Sequence, residues 1–193
     1  YLWTLPMFHC NGWCFPWTLA AVAGVSICQR GFTGESIWQA IGEHRVTHFC
    51  GAPIVLNMVA NTPADRRPKI SHTVQVMTAA APPPAATLEE MQRQGFRVTH
   101  VYGLTETYGP SVVCAWHDEW NDLPIEEQAQ LKARQGVPYP NLEGLSVRDP
   151  LTMEPVPDDG ATIGEVMFQG NVVVKGYLKD PMATRVAFGG GWF

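Results

Sequence analysis

The sequence has few charged residues and no long apolar run. Charged residues make up only 16% of its 193 residues, and 13 Lys+Arg against 18 Asp+Glu give a formal net charge of −5. This balance lacks the basic excess of a nucleic-acid-binding protein and the charge density of a disordered acidic tail. No apolar stretch approaches the roughly 18 residues that a membrane-spanning helix needs. We therefore expect a soluble globular protein with no nucleic-acid partner and no transmembrane segment.

Cysteine usage gives no sign of a disulfide framework. The five cysteines are odd in number and follow no regular spacing, so we expect reduced thiols in a cytosol-like compartment. The chain starts at Tyr1 and stops at a glycine-rich turn before Trp192 and Phe193, which predicts an internal piece of a longer protein. Cytoplasmic localisation is expected, with peroxisomal or other organellar localisation left open, because a targeting signal would lie outside such a piece.

Between residues 16 and 137, short apolar runs alternate with helical patterns, which predicts an α/β fold of β-α units on a mainly parallel sheet. One helix is expected to start with a capping box formed by Thr87 and Glu90, and another, polar and solvated, to start at Pro124. The remaining apolar periodicities predict helices over 34–45 and 52–60 and strands over 46–49, 73–77 and 96–101.

After residue 137 the pattern changes to short β segments separated by turns. We therefore predict an α/β subdomain over residues 1–137 and an antiparallel, β-rich subdomain over residues 138–193. Residues 172–174, a run of three valines, are expected to form one of its strands. Asp180 before Pro181 has the pattern of an N-cap followed by the first helical residue, which predicts a short helix over 181–188.

Thr105 and Glu106 form the most informative pair of polar residues. They follow the predicted strand over 96–101 directly, and open α/β sheets bind ligands at the carboxyl ends of their strands. A threonine hydroxyl can donate to a phosphate oxygen, and a glutamate can hold a hard cation such as Mg²⁺. Spacing alone leaves open the alternative that this is a turn capped by threonine.

Four segments resemble motifs of the adenylate-forming superfamily, which contains acyl-CoA synthetases, luciferases and adenylation domains. Residues 102–107, YGLTET, resemble its tyrosine-glycine-x-threonine-glutamate motif. Residues 5–13 resemble its acyl-pocket segment, residues 77–82 its small-residue adenine loop, and residues 164–188 its late motif. The four occur in the family's order. The resemblance implies the large N-terminal domain of that fold.

The resemblance also implies roles for individual residues. It implies an enzyme, an acid-thiol ligase that joins a carboxylate to AMP, using ATP and Mg²⁺, and then to CoA. Thr105 would bond the α-phosphate, and Glu106 would hold Mg²⁺; these are the candidate catalytic residues. The candidate nucleotide-binding residues are Ala80, Ala81, Pro82, Tyr102, Gly103 and Thr105, and the candidate acyl-pocket residues are His9, Gly51 and Gly103.

Several alternatives stay open beside this interpretation. His9 could be a buried structural histidine, and Gly51 could belong to a strand-to-helix turn. His9, Cys10 and Cys14 lack a second pair of ligands, which disfavours zinc. Phe8, Trp13 and Trp17 are expected to be core residues rather than a ligand wall.

The family's phosphate loop and its lysine-bearing C-terminal domain have no counterpart in this sequence. We therefore expect the 193-residue chain alone to be inactive. The alternatives to an acyl-CoA synthetase are an adenylation domain that loads a carrier protein and a non-catalytic nucleotide-binding scaffold.

Gly103 bears on the carboxylate substrate. Acetate-specific members of the family carry a tryptophan at the matching position, so glycine is expected to disfavour acetate and to admit a medium-chain, thioether or aryl acid. Residues 116–137 resemble an insertion found in the branch of methylmercaptopropionate-CoA ligases and plant-type acyl-activating enzymes.

Overall fold

The computed structural model describes residues 1–193, and its largest element is a seven-stranded sheet of order β2-β1-β3-β4-β5-β6-β7. The first five strands in this order are parallel, and β6 and β7 are antiparallel to their neighbours. This confirms the predicted α/β class with a mainly parallel sheet. The strands are β1 (Leu2–Trp3), β2 (Ile27–Cys28), β3 (His48–Gly51), β4 (Val74–Thr78), β5 (Phe96–Leu104), β6 (Gly109–Val113) and β7 (Val137–Pro138).

Helices connect the successive parallel strands, as β-α units require. The helix after β2 starts with a capping box, in which Thr33 and Ser36 each bond the other's backbone N–H. The helical segments are α1 (Cys10–Trp13), α2 (Phe15–Ala21), α3 (Gly34–His44), α4 (Pro53–Ala60), α5 (Ala85–Arg93), α6 (Ile125–Lys132) and α7 (Pro181–Ala187). None of them is long and apolar enough to cross a membrane.

The main core lies between this sheet and the helices that cover it. It is a cluster of 18 buried residues, including Ile37 and Ile41 of α3, Phe49 of β3 and Met91 of α5. On α4, Val55 and Val59 repeat at i, i+4 and are buried, as this spacing predicts. Ile54, which repeats with Met58 at the same spacing, is instead 72% exposed. Removing these apolar surfaces from water is the main force that holds the helices on the sheet.

Two local predictions are wrong. Helix α5 starts at Ala85 after Pro84 rather than at a capping box, and Thr87 is buried inside the helix, because the preceding prolines already fix the entry of the chain. The valines at 172–174 form a turn instead of a strand. Val173 donates to Gly170 O at 3.1 Å, so the backbone satisfies itself within the turn.

The second sheet is antiparallel, as predicted, and contains β8 (Gly144–Arg148) and β9 (Glu165–Gln169). Phe168 of β9 exchanges two backbone hydrogen bonds with Phe193, at 2.7 and 2.9 Å. The predicted cap of α7 is also present, since the Asp180 carboxylate accepts from Ala183 N at 2.9 Å. The division of the chain after residue 137 remains a prediction.

Helix α6 is exposed on its outer face, as expected of a solvated helix, at Glu126, Glu127 and Gln130, but its inner face is held by buried polar contacts. Gln128 accepts from Gln92 Nε2 at 2.8 Å and donates to Leu123 O at 2.9 Å. Lys132 is buried, donates to Gln92 Oε1, and lies 4.7 Å from the centre of the Trp116 ring. Burial, and to a lesser extent the charge of Arg97, lowers the pKa of Lys132. The inner face of the helix combines the buried polar Gln128 and Lys132 with Ala129, which belongs to the main core, and apolar periodicity does not detect the polar part of this face.

We expect Gln128→Ala to destabilise the protein, because Gln92 and the Leu123 carbonyl lose their partner. Leaving buried polar groups unsatisfied costs about 1–3 kcal/mol. The matched control is Gln130→Ala in the same helix, where the glutamine is exposed and has no hydrogen-bond partner; it should change the unfolding free energy by less than about 0.5 kcal/mol. Urea unfolding measures both variants, and equal effects would contradict the assigned role of Gln128.

Candidate functional site

The segments that follow β1, β4 and β5 meet at the carboxyl edge of the parallel sheet. The register sets Gly51 beside Thr78 and Thr78 beside His100, so these strands reach the edge together. There they surround a cavity of about 290 Å³. The residues that line it are His9, Cys10, Trp13, Ala79, Ala80, Gly103, Leu104, Thr105, Glu106, Gly109 and Pro110.

The cavity brings together residues that the sequence places far apart. His9, Ala80, Gly103, Thr105 and Glu106, all candidate site residues, line it. His9 is exposed, so it is not the buried structural histidine of the alternative interpretation. A hydroxyl, a carboxylate and the backbone of a small-residue loop thus face one space, a combination that suits a phosphate-bearing ligand.

The other candidate residues lie outside this cavity. Ala81 and Pro82 are exposed beyond its rim, and Gly51 is buried, with the position of a Cβ there only 2.9 Å from Val55. The Tyr102 ring packs 5.8 Å from the ring of Phe168 and lines a separate cavity of about 610 Å³. Successive residues of a strand point to opposite faces, so Tyr102 and Gly103 face different spaces.

The turn that carries Thr105 and Glu106 is closed by its third residue. Residues 105–107 form one 3₁₀ turn, and the buried Thr107 accepts from Leu104 N at 2.9 Å and donates to Gly109 O at 2.9 Å. Thr105 Oγ1 makes only a long contact, with Cys10 Sγ at 3.6 Å. The threonine that caps the turn is therefore Thr107, which leaves the Thr105 hydroxyl free for a ligand.

Glu106 is half-buried and held by residues near the end of the chain. Its Oε1 accepts from the Tyr177 hydroxyl at 3.0 Å, and its backbone carbonyl accepts from Val174 N at 2.8 Å. This hydrogen bond to a carboxylate raises the pKa of Tyr177, so the phenol remains a donor at neutral pH. Oε2 has no protein partner.

The donors fit a magnesium ion that arrives with a polyphosphate. No group of three His, Cys, Asp or Glu side chains could hold a metal ion. Mg²⁺ is commonly bound through one or two carboxylates, substrate phosphates and water, rather than by a cage of protein ligands. The free Oε2 of Glu106 beside the Thr105 hydroxyl supplies a donor set of this kind.

The wall formed by residues 10–14 has an unusual backbone. All five residues have positive φ, from 44° at Cys10 to 66° at Cys14, and four of them are not glycine. Each such residue costs roughly 1–2 kcal/mol, and strain of this kind concentrates at functional sites. Asn11 Nδ2 donates to Tyr108 Oη at 3.3 Å and helps to hold the segment against β6.

Sequence reasoning missed several residues at or near the cavity. Cys10 and Trp13 line the cavity. Tyr177 lies outside it and donates a hydrogen bond to Glu106, and the only sequence signal for Tyr177 was the Gly176-Tyr177 part of the late motif. Trp13 also lines a neighbouring cavity of about 240 Å³. Phe8 and Trp17, expected in the core, are 84% and 61% exposed, so the expectation is wrong for both.

Gly103 is required by the backbone of the hairpin formed by β5 and β6. A Cβ at this position would lie 2.0 Å from the carbonyl oxygen of Gly109, far inside any allowed contact. The β5–β6 register also shifts between Tyr102 and Gly103, so the strands approach closely there. Close packing of main chain, rather than space for a substrate alone, explains the glycine.

This is an α/β fold with a cavity at the carboxyl edge of its parallel sheet, the edge at which open α/β sheets bind ligands. The family model described as AMP-binding enzyme matches residues 1–178, and the chain belongs to this family.

Curated relatives match the chain over its whole length. It is 58% identical to the peroxisomal acetate/butyrate–CoA ligase of Arabidopsis thaliana and 55% identical to the acetate–CoA ligase of Humulus lupulus, and it covers 34% of each. It is 48% identical to the peroxisomal benzoate–CoA ligase of Arabidopsis thaliana, of which it covers 33%. The chain thus spans about a third of the length of these relatives.

Solved structures share the fold over the whole chain. The N-terminal domain of FACL13 from Mycobacterium tuberculosis superimposes with a TM-score of 0.76 at 25% identity, and the chain covers 45% of it. The O-succinylbenzoate CoA synthetase of Bacillus subtilis, in complex with ATP and magnesium, gives 0.75 at 22% identity and 37% coverage. The α/β architecture is therefore that of the N-terminal domain of adenylate-forming enzymes.

We expect Gly103→Ala to destabilise the protein by about 1–3 kcal/mol, the usual cost of overpacking, because the methyl group meets the Gly109 carbonyl. Gly31→Ala is the matched control, since a Cβ there meets nothing within 4 Å and the backbone has no positive φ. Thermal unfolding of the two variants checks the difference. A Gly103→Ala protein as stable as Gly31→Ala would show that the hairpin does not need glycine.

Proposed function

We propose that this chain is the nucleotide-binding part of an ATP-dependent acyl-CoA synthetase. The reaction is carboxylate plus ATP giving acyl-AMP and pyrophosphate, followed by transfer of the acyl group to CoA. The observation that carries the proposal is the meeting of His9, Ala80, Thr105 and Glu106 around one cavity. The names of the relatives as CoA ligases support CoA, rather than a carrier protein, as the acceptor.

In this proposal the chain's own residues bind and orient the reacting phosphate. The Thr105 hydroxyl donates to an α-phosphate oxygen, and Glu106 binds Mg²⁺ through Oε2. Bound Mg²⁺ would supply positive charge to offset the negative charge of the phosphates. That charge is needed because no lysine or arginine lines the cavity. The chain contributes position and charge, and little acid–base chemistry is required.

The nucleotide base has two candidate contacts. We propose that the backbone of residues 80–82 and the aromatic ring of Tyr102 contact the adenine. In this structure Tyr102 lines a separate cavity of about 610 Å³ that none of residues 80–82 lines, so the ring would have to turn toward the loop to reach the same base. Ala80 has a positive φ of 81°, consistent with a backbone adapted to close approach of a ligand.

The carboxylate substrate is proposed to be a short acyl acid such as acetate or butyrate. The relatives at 58%, 55% and 53% identity are named for acetate/butyrate, acetate and 2-methylpropanoate. The expectation that Gly103 disfavours acetate gains no support, because two of these names include acetate and the hairpin backbone accounts for the glycine. His9 and Trp13 are the proposed wall of the acyl site, and Gly51, which is buried and does not line this cavity, remains a candidate residue of that site.

The proposed localisation rests on the names of the curated relatives. Four of them are named as peroxisomal, which favours the peroxisome over the cytoplasm for the protein that contains this chain.

We expect the full-length protein to catalyse carboxylate-dependent exchange of pyrophosphate into ATP. With a panel of acetate, butyrate, 2-methylpropanoate, hexanoate, 3-methylthiopropanoate and benzoate, kcat/KM should be highest for acetate, butyrate or 2-methylpropanoate. Preference for hexanoate, the thioether acid or benzoate would contradict the proposal of a short acid but would still support an acyl-CoA synthetase. No exchange with any acid would favour a non-catalytic scaffold.

We expect Thr105→Ala and Glu106→Gln each to lower kcat of the full-length protein by about 10²–10³-fold, the usual loss when one group that stabilises transition-state charge is removed. Glu127→Gln, at an exposed position of α6, is the control for loss of a carboxylate and should leave the rate unchanged. Acid-dependent pyrophosphate exchange measures all three. Wild-type rates in both site variants would remove the cavity from the proposed mechanism.

A further inference from the structure

Tyr177 lies outside the cavity but bonds the carboxylate that faces it. The two residues are 71 positions apart, and the Tyr177 hydroxyl donates to Glu106 Oε1 at 3.0 Å. Tyr177 is 38% exposed, so water can compete for both groups of this hydrogen bond. Stability alone is therefore a weak reason for this contact.

The backbone around Tyr177 is fixed by the start of α7. Tyr177 N donates to Thr184 Oγ1 at 2.9 Å, and the Thr184 hydroxyl donates to Asp180 O at 2.8 Å. Gly176 has a φ of 146°, and a Cβ there would lie 2.5 Å from Thr184 Cγ2. The tyrosine is thus held at its backbone by the start of a helix none of whose residues lines the cavity.

Glu106 is restrained at two points by this part of the chain. Val174 N donates to the Glu106 carbonyl at 2.8 Å, while Tyr177 holds the side chain. The two bonds fix the backbone and one carboxylate oxygen, and the other oxygen is left without a protein partner. A carboxylate ordered in this way loses less conformational entropy when it binds a cation.

We propose that Tyr177 is a positioning residue that orients Glu106 for the divalent cation carried by the nucleotide. The inference rests on the proposed function, because it assigns Glu106 to that cation. A group that bonds a metal-ligating carboxylate typically changes metal affinity or activity by 10–100-fold when it is removed. The hydroxyl acts through Glu106, so its effect depends on the glutamate being present.

The test measures cation affinity directly in the full-length protein. Mn²⁺ is titrated by electron paramagnetic resonance in the presence of a non-hydrolysable ATP analogue, for the wild type, Tyr177→Phe, Glu106→Gln and the double variant. Tyr177→Phe is expected to weaken Mn²⁺ binding about 10-fold. Adding it to Glu106→Gln is expected to cause no further loss, because the carboxylate through which it acts is gone.

Tyr139→Phe is the matched control, since Tyr139 is a half-buried tyrosine whose hydroxyl has no hydrogen-bond partner in the protein. It should leave Mn²⁺ affinity unchanged. A parallel Mg²⁺ titration of pyrophosphate exchange should show a raised half-saturating Mg²⁺ concentration for Tyr177→Phe, with kcat at saturating Mg²⁺ changed less than the half-saturation.

Three results would overturn the inference: unchanged Mn²⁺ affinity in Tyr177→Phe, an equal loss in Tyr139→Phe, or a further loss in the double variant. Failure of the proposed function is a separate result, namely a wild-type protein that shows no acid-dependent exchange. Thermal unfolding of Tyr177→Phe at the wild-type temperature excludes misfolding as the cause of weaker cation binding.

Discussion

The parallel pairing of β1, β3, β4 and β5 determines which parts of this sequence meet. Parallel strands are joined by crossover helices, so the residues that follow each strand all emerge at the same edge of the sheet. Residues 9, 80 and 105 are far apart along the chain, yet they line one cavity because their strands end in a common register. The hydrophobic core under the helices maintains that register, and the site depends on it.

Within the site, one side chain holds the turn and two others face the cavity. Thr107 satisfies the backbone of the turn, and its neighbours Thr105 and Glu106 are therefore not needed to hold it. The lining of the cavity carries a negative charge and no lysine or arginine. The cavity supplies a carboxylate and a hydroxyl, but the positive charge that a polyphosphate requires must come from a cation and from groups outside the lining.

The sequence predicts the helices, strands and caps that depend on residues close together in the chain. Apolar periodicity located α3, α4, β4 and the start of β5, and the Asp180-Pro181 pair located the cap of α7. Long-range contacts decide the rest. The direction of the Tyr102 side chain depends on the face of a strand with a shifted register, and the burial of Lys132 depends on Gln92 in another helix. In the sequence, only Gly12 indicates the left-handed backbone of residues 10–14.

The carbonyl of Gly109 beside Gly103 limits how this scaffold can change. A Cβ at residue 103 would meet this carbonyl, so a side chain can be added there only if the main chain of the hairpin shifts. With the main chain in its present position, a change in the size of the cavity would come from the opposite wall, where Trp13 lines two cavities. One wall of the cavity is thus formed by side chains, whose volume a substitution can change, and the other by main chain, which a substitution changes only if the backbone moves.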